Sequence, residues 1–220
     1  MPSVISRVVG SHLLHLEEVA STSDLAAQMA EEGAPEGVVV VAERQTRGRG
    51  KHGRCWESPA GGLWTSIILR PPHPSSHAPI FTMMGAVASV EAIRATTGMK
   101  ACVHWPNDLF LQGKKVGGIL CEMRGTGRRI RYLIMGIGIN VNQDHGDFSV
   151  PLRRCVTSLR LESGKTWDRK ALAEVLYARL DFWYHSLQME QVRPLLDRLG
   201  EVFEGPDTPW IGLREMLGIS

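Results

Sequence analysis

A short loop carries a dense cluster of cationic side chains and no acidic residue. It runs from Arg44 to Arg54, and its eleven residues include five Arg or Lys side chains together with His52. Three glycines separate the cations, so the backbone can approach a ligand closely. Because the cations repel one another, we expect the loop to be poorly ordered without an anion. Taken alone, the loop fits a site for a phosphate-bearing ligand and an arm for nucleic acid equally well.

A second group of candidate residues follows a proline and ends at a lysine. Asn107 and Asp108 come directly after Trp105-Pro106 and could hydrogen-bond a nucleotide or hold Mg²⁺, although Asp108 could equally cap a turn. Lys115 ends a predicted hairpin turn, where a strand would hold its ammonium group in a fixed direction. Without its neighbours it would be an ordinary turn lysine. Glycines at positions 117, 118, 136 and 138 leave room for a ligand nearby.

Alternating β-branched runs and helical patterns predict the elements that position these residues. The predicted strands are 12–16, 38–42, 63–69, 101–111 with a break at Pro106, 116–123 and 130–135. The predicted helices are 25–32, 80–97, 169–187 and 190–199. The run 38–42 is apolar throughout, which indicates a strand buried on both faces. The last four strands follow one another through short turns and indicate an antiparallel meander.

The length and composition are those of a soluble globular protein with one large domain, or with one domain and a small appendage. The chain has 220 residues, 43% of them hydrophobic, and its net charge of +2 makes the basic loop a local feature. No apolar run approaches the roughly 20 residues of a membrane span, and the N-terminus lacks a signal sequence, so we expect a cytoplasmic protein without a membrane partner. The four cysteines are widely spaced and form no C-x-x-C pair, which predicts reduced thiols and no zinc site.

Four segments, in this order along the chain, resemble those of the biotin protein ligases (biotin–[acetyl-CoA-carboxylase] ligases). The segments are Ser21-Thr22-Ser23; Gln45 with Gly48–Arg54 and Trp56-x-Ser58-Pro59; Trp105–Leu109 with Lys115–Leu120 and Glu122; and Gly136–Asn142. The basic loop alone is weak support, but the combination is very specific. The resemblance covers roughly residues 14–200. It implies an α+β fold with a mixed, mainly antiparallel sheet backed by helices, similar to that of class II aminoacyl-tRNA synthetases and biotin synthetase.

The resemblance also implies a domain organisation. Residues 1–200 correspond to the catalytic domain of the family, and we expect 201–220 to be a short tail in place of, or truncated from, the SH3-like domain with which members usually end. About a dozen residues precede the first predicted strand, so we do not expect the N-terminal DNA-binding domain of some members, or a DNA partner. The resemblance to the family also suggests a homodimer that forms through the edge of the sheet.

The reaction that the resemblance implies has two steps and uses ATP, Mg²⁺ and biotin. Biotin is activated to biotinyl-5′-AMP, and a lysine of a biotin carboxyl carrier protein or domain then takes the biotin and releases AMP. By resemblance the catalytic residues are Lys115, Arg49 and Lys51. The residues implied for biotin are Ser21, Thr22, Ser23, Gln45, Arg49, Gly50, Lys51, Lys115 and Gly117. Those implied for ATP or the adenylate are Arg49, Lys51, Arg54, Trp56, Asn107, Lys115 and Asn140, with Asp108 for Mg²⁺.

Some of these residues could have a purely structural role instead. Ser21, Thr22 and Ser23 could do no more than cap the first helix, although a helix N-terminus also suits a carboxylate or a polar ring. Trp56 could stack on a flat ring of the ligand or could equally be a core residue.

Two residues depart from the pattern of the family. His104 stands where a lysine usually precedes Trp-Pro-Asn-Asp, and Lys51 stands where the third cation of the loop is usually arginine. Histidine is charged only below a pKa of about 6.5, and lysine lacks the bidentate fork of arginine. We therefore expect a functional site with altered retention of the nucleotide or the intermediate.

Three alternatives stay open at this point. A lipoate–protein ligase or an octanoyltransferase could use the same fold, and the transferase would need a nucleophilic cysteine, for which Cys121 in a buried strand is a poor candidate. A non-catalytic module that binds biotinyl-adenylate or nucleic acid is the second. The third is a catalytic fragment that adenylates biotin but transfers it poorly.

Overall fold

Seven strands form one mixed sheet. In the computed structural model, which describes residues 7–126 and 128–205, the strands are β1 (His12–Val19), β2 (Val38–Gln45), β3 (Leu63–Leu69), β4 (Cys102–His104), β5 (Asp108–Leu111), β6 (Lys114–Thr126) and β7 (Arg129–Ile139). Their order across the sheet is β1-β2-β3-β7-β6-β5-β4. Strands β1 and β2 pair in parallel, and each later neighbour pairs antiparallel.

Five α-helices accompany the sheet in the described residues. They are α1 (Thr22–Glu31), α2 (Ala78–Thr97), α3 (Leu159–Ser163), α4 (Arg169–Gln188) and α5 (Val192–Val202). The Ser21 hydroxyl accepts a hydrogen bond from the Asp24 N–H and caps α1. Gly98 ends α2 in the left-handed conformation that glycine adopts most easily.

The two faces of the sheet are covered differently. One face packs against α2, α4 and α5 through the larger apolar core, which includes Phe81, Met135 and Leu176. The other face carries a smaller core in which Ala26 and Ala30 of α1 pack against β2, β3 and β7. Helix α1 therefore covers β2, β3 and part of β7 on this second face. Arg49 of the basic loop contacts Glu122 of the neighbouring β6.

The predicted fold class is confirmed by the observed sheet and helices, and so is the meander from β4 to β7. The prediction that residues 38–42 are buried on both faces is confirmed apart from Val41, which is partly exposed. Strand β7 continues to Ile139, so the 136 and 138 glycines lie inside a strand. Helix α3 was not predicted, because its five residues are too few to show a helical period.

The division into residues 1–200 and 201–220 stays a prediction, because residues 206–220 lie outside the described part of the chain. Within residues 7–126 and 128–205, no helix is both long enough and apolar enough to cross a bilayer.

Candidate active site

A cavity of about 630 Å³ opens between the sheet and the basic loop. Twelve of the fourteen residues predicted to bind biotin, nucleotide or metal line it: Thr22, Ser23, Gln45, Arg49, Gly50, Lys51, Arg54, Trp56, Asn107, Asp108, Lys115 and Asn140. The other two do not. Ser21 is buried as the cap of α1, and Gly117 packs against the carbonyl of Gly138 and the side chain of Leu109. The fold therefore brings most of the predicted residues together from segments far apart in sequence.

The basic loop is a hydrogen-bonded hairpin, which differs from the prediction of little order. Arg49 and Cys55 form an antiparallel bridge, and the Gly50 N–H donates to the Arg54 carbonyl at 2.8 Å. A Cβ at Gly48 would lie 2.4 Å from the Trp56 carbonyl oxygen, so this turn requires glycine. Backbone pairing thus offsets the repulsion between the cations.

Arg49 is held by two carboxylates of the chain. Its Nε lies 3.1 Å from Asp24 Oδ1, and its Nη2 contacts Glu122 Oε2. All three side chains are at least one-third exposed, and such pairs contribute about 0–1 kcal/mol. A phosphate could compete with them, because these exposed pairs are weak and a guanidinium also binds phosphate through bidentate, charge-assisted hydrogen bonds.

A bulge in β6 directs Lys115 into the cavity. Leu109 pairs with Gly117 but Phe110 pairs with Lys115, so β6 advances by two residues while β5 advances by one. Val116 is the extra residue and is fully buried in the main core. Because side chains alternate along a strand, one inserted residue turns Lys115 to the same face as Gly118. The Lys115 Nζ lies 2.7 Å from Asp108 Oδ1.

The Trp56 indole covers two glycines of the sheet. A Cβ at Gly138 would lie 2.8 Å from Trp56 Nε1, whereas one at Gly118 would lie 3.5 Å from Cζ3. The Lys115 Nζ sits 5.2 Å from the ring centroid, within the range of a cation–π contact. Among the described residues, the indole N–H is one of the few buried polar groups without an acceptor. Trp56 is only partly buried, so it is a wall of the cavity and not part of the core.

Uncharged hydrogen-bonding groups form the end of the cavity near α1. The Gln45 side chain accepts from the Thr22 N–H and hydroxyl at 2.8 and 3.0 Å and donates to the Ser58 hydroxyl at 2.8 Å. The Ser66 hydroxyl lies 2.8 Å from Thr22 Oγ1 and 3.0 Å from Ser23 Oγ. Neither Ser58 nor Ser66 was predicted to have a role. A signal for Ser66 was available, because Thr65 and Ser66 are the two hydroxyl residues in the otherwise apolar run 63–69.

Two amides tie the surrounding loops to the sheet. Asn107 Nδ2 donates to the Ile119 carbonyl at 2.9 Å, which holds the turn after β4 against β6. Asn140 Nδ2 donates to the Thr157 carbonyl at 2.9 Å, and its backbone N–H donates to the Val116 carbonyl. Both residues therefore have a structural role beside the cavity, in addition to any contact with a ligand.

Cys121 differs from Cys55 and Cys155 in its exposure. Burial raises the pKa of the Cys121 thiol to about 12, against opposing effects from a hydrogen bond with Thr82 and from the charge of Lys51, and this residue packs beside the main core. A thiol with such a pKa is protonated at neutral pH and is a poor nucleophile. Cys55 and Cys155 are exposed and line the cavity.

The fold and the cavity define a class of protein. The mixed sheet and the helices that cover it form the fold that biotin protein ligases share with class II aminoacyl-tRNA synthetases. A sequence profile described as "Biotin/lipoate A/B protein ligase family" matches residues 16–140. The chain belongs to this family.

Individual relatives agree with this assignment. The chain is 44% identical over 191 residues to the "Bifunctional ligase/repressor BirA" of Bacillus spizizenii, covering 86% of this chain and 59% of that protein. It is 31% identical to the "Biotin--[acetyl-CoA-carboxylase] ligase" of Paracoccus denitrificans, covering 74% and 72%. Among solved structures, the biotin protein ligase from Aquifex aeolicus in complex with biotin and ATP superimposes with a TM-score of 0.77 at 30% identity, covering 88% of this chain and 78% of that one. The chain spans about three-fifths of the length of the BirA proteins that it matches.

Proposed function

We propose that the protein is a biotin protein ligase that activates biotin with ATP and transfers it to a lysine of a biotin carboxyl carrier protein or domain. The single observation that carries the proposal is the position of Lys115, whose side chain lines the same cavity as the uncharged end and the cationic hairpin and whose ammonium group lies 2.7 Å from Asp108 Oδ1. The relatives that carry ligase names, and the Aquifex structure with biotin and ATP, support the same reading.

The uncharged end suits the ureido ring of biotin. Such a ring is neutral, and it offers N–H donors and a carbonyl acceptor in one plane. Hydroxyls of Thr22 and Ser23 and the amide of Gln45 can exchange hydrogen bonds with these groups, and none of the three brings a charge. Biotin bound there would extend its carboxylate along the sheet towards Lys115.

The chemistry at Lys115 begins with two anions that repel each other. A carboxylate oxygen of biotin attacks the α-phosphorus of ATP, the bond to the bridging oxygen breaks, and pyrophosphate leaves. Lys115, Arg49 and Lys51 would neutralise the charge that builds up, and cations already in place pay little reorganisation energy during the reaction. In the second step the neutral amine of the acceptor lysine attacks the acyl carbon, AMP leaves, and the amine loses a proton.

The nucleotide would lie beside Trp56, Asn107 and Asn140, with Arg54 reaching it from the hairpin. The indole offers a flat surface, and the two asparagines offer amides fixed by their own hydrogen bonds. Hydrogen bonding of this kind suits a purine and its ribose.

The cavity also fits Mg²⁺, because it supplies one carboxylate ligand. Mg²⁺ beside a nucleotide is usually held by one or two carboxylates together with phosphate oxygens and waters. Asp108 supplies such a carboxylate at the cavity wall, where Lys115 already contacts one of its oxygens. When bound, Mg²⁺ would offset phosphate charge.

The other partners and the location follow from the same proposal. A cytoplasmic protein agrees with the use of ATP and with free thiols at Cys55, Cys102, Cys121 and Cys155. We expect the acceptor to be a carrier protein and propose no DNA or membrane partner, and we propose that pairing at a sheet edge would give a homodimer.

The proposal is tested by ATP–pyrophosphate exchange on the purified chain. We expect exchange that requires biotin and Mg²⁺, and little exchange with lipoate or octanoate at the same concentration. In a second arm, a purified carrier domain should gain the mass of one biotin. Exchange with lipoate in place of biotin would contradict the proposal. A thioester on Cys155 after treatment with an octanoyl thioester would identify an acyltransferase, since that residue lines the cavity.

A further inference from the structure

Three side chains from two distant segments meet at the edge of the sheet outside the cavity. Cys102 and His104 lie two residues apart on β4 and point to the same side, and Glu204 follows α5. One ligand atom from each lies within 4.8 Å of the other two. Cys102 Sγ is 2.7 Å from Glu204 Oε2, and His104 Nε2 is 3.7 Å from the same oxygen.

The backbone and a neighbouring ring hold this trio in place. The Glu204 N–H donates to the Val103 carbonyl at 3.0 Å, and Val103 forms a parallel bridge with Phe203. The His104 ring stacks on Phe110 with a centroid distance of 3.8 Å and an interplanar angle of 5°. The three groups therefore need little rearrangement to act together, which lowers the entropy cost of binding a common ligand.

We propose that Cys102, His104 and Glu204 form a site for Zn²⁺ or a similar divalent transition-metal ion, with water as the fourth ligand. Thiolate, imidazole and carboxylate are the three side chains that bind Zn²⁺, at about 2.0–2.3 Å. A tetrahedron of such bonds separates its ligand atoms by about 3.5 Å. The 3.7 Å distance already matches, and the thiol and carboxylate would move apart by about 1 Å.

Metal binding requires Cys102 to lose its proton to the solvent. The hydrogen bond from the Cys102 thiol lowers the pKa of Glu204, so without a metal ion the trio carries one negative charge when His104 is neutral. With thiolate, carboxylate and Zn²⁺ together the charge is zero. The ion thereby removes the repulsion between the two anionic ligands, and neither Ca²⁺ nor Mg²⁺ would replace it, because both prefer oxygen ligands.

The site would connect the segment after α5 to the wall of the cavity. His104 directly precedes Trp105, and its stacking partner Phe110 also lines the cavity. A bound ion would fix His104 between Glu204 and Phe110. It would thereby stiffen the turn that joins β4 to β5. The proposed site runs against the sequence-based prediction of no zinc site. That prediction rested on the lack of a C-x-x-C pair, whereas the third ligand here lies about a hundred residues from the other two.

The proposal is tested on the purified full chain with Zn²⁺ in competition with a chromogenic chelator, and with Co²⁺ as a spectroscopic probe. We expect one tight site and a thiolate-to-cobalt charge-transfer band. Cys102→Ser should abolish the band and weaken Zn²⁺ binding by more than about tenfold, since loss of an outer contact alone costs that much. Zn²⁺ should also raise the melting temperature of the parent, because it binds the folded state.

The controls separate this site from other thiols. A Cys55→Ser/Cys155→Ser double variant removes the exposed cysteines and should keep both the band and the affinity. Glu204→Gln alters an exposed side chain and serves if Cys102→Ser folds poorly. It should weaken Zn²⁺ binding and leave the metal-free melting temperature close to that of the parent. Parent-like affinity in either Cys102→Ser or Glu204→Gln, or loss of the band in the double variant, would overturn the proposal.

Discussion

The contact between Trp56 and the sheet predicts different effects for one added methyl group at two paired glycines. Gly118 and Gly138 are direct partners on β6 and β7, and both lie beneath the indole. In Gly138→Ala the new Cβ would lie 2.8 Å from Trp56 Nε1 and 3.0 Å from Cε2, so the ring must retreat by about half an ångström or more. In Gly118→Ala the nearest ring atom is at 3.5 Å, which is ordinary contact.

The magnitude follows from the cost of overpacking. Inserting a methyl group into a packed site costs about 1–3 kcal/mol. Trp56 is partly exposed and can move outward, so we expect most of this cost in ligand binding, where it corresponds to a roughly 5- to 150-fold rise in the Kd for ATP. Gly118→Ala should change the Kd by less than about threefold, which is within 0.7 kcal/mol.

Calorimetric titration of ATP into the two variants and the parent measures the effect, with thermal melting to separate binding from stability. A double-mutant cycle of Gly138→Ala with Trp56→Ala tests whether the effect on Kd comes from the contact with the indole. In a Trp56→Ala background there is no indole to displace, so Gly138→Ala should lose most of its effect on Kd. If it costs as much there as in the parent, or if the two glycine variants behave alike, the contact argument is wrong.

Three further predictions concern other parts of the chain. Asp108→Asn should raise the Mg²⁺ concentration needed for ATP–pyrophosphate exchange, whereas Asp168→Asn, which keeps the cap of α4, should not; a common shift in both would refute the role of Asp108. The Tyr132 hydroxyl donates to Glu31 at 2.7 Å and, with Arg131, lowers the pKa of Glu31 below its ordinary value. That stability is present above the ordinary pKa and is lost as pH falls through the lowered one, so Tyr132→Phe should destabilise the protein near neutral pH and less in acid, and an NMR titration should find the pKa of Glu31 raised. At pH 8, alkylation followed by mass spectrometry should modify the two exposed cavity cysteines well before Cys121, whose pKa is raised to about 12 by burial; equal rates would contradict this.

Most of the fold was predictable because local patterns and packing agree. The run 38–42 is apolar at every position and becomes an inner strand, and the Asp168 cap starts α4 at the predicted residue. The predicted residues also gather at one cavity, because the motifs that carry them end strands or join them. Their roles towards a ligand stay predictions.

The features that were missed depend on register and on distant contacts. The bulge at Val116 inserts one residue without any break in the pattern of the sequence, yet it decides which way Lys115 points. Ser66 matters because it meets the start of α1, which lies more than 40 residues earlier in the chain. The order of the basic hairpin comes from backbone pairing between Arg49 and Cys55, which composition does not reveal.

The central claim is that Lys115 promotes formation of biotinyl-5′-AMP in this cavity. The most direct test is a single-turnover reaction of the purified chain with Mg²⁺, ATP and biotin, in which the adenylate is quantified by mass spectrometry. We predict about one equivalent per cavity for the parent and for Lys114→Ala, which changes the neighbouring lysine at the start of β6. Lys115→Ala should form the adenylate at least about a hundredfold more slowly, the usual cost of losing a group that stabilises transition-state charge. Adenylate formation at the parental rate in Lys115→Ala, or none from biotin in the parent, would contradict the account.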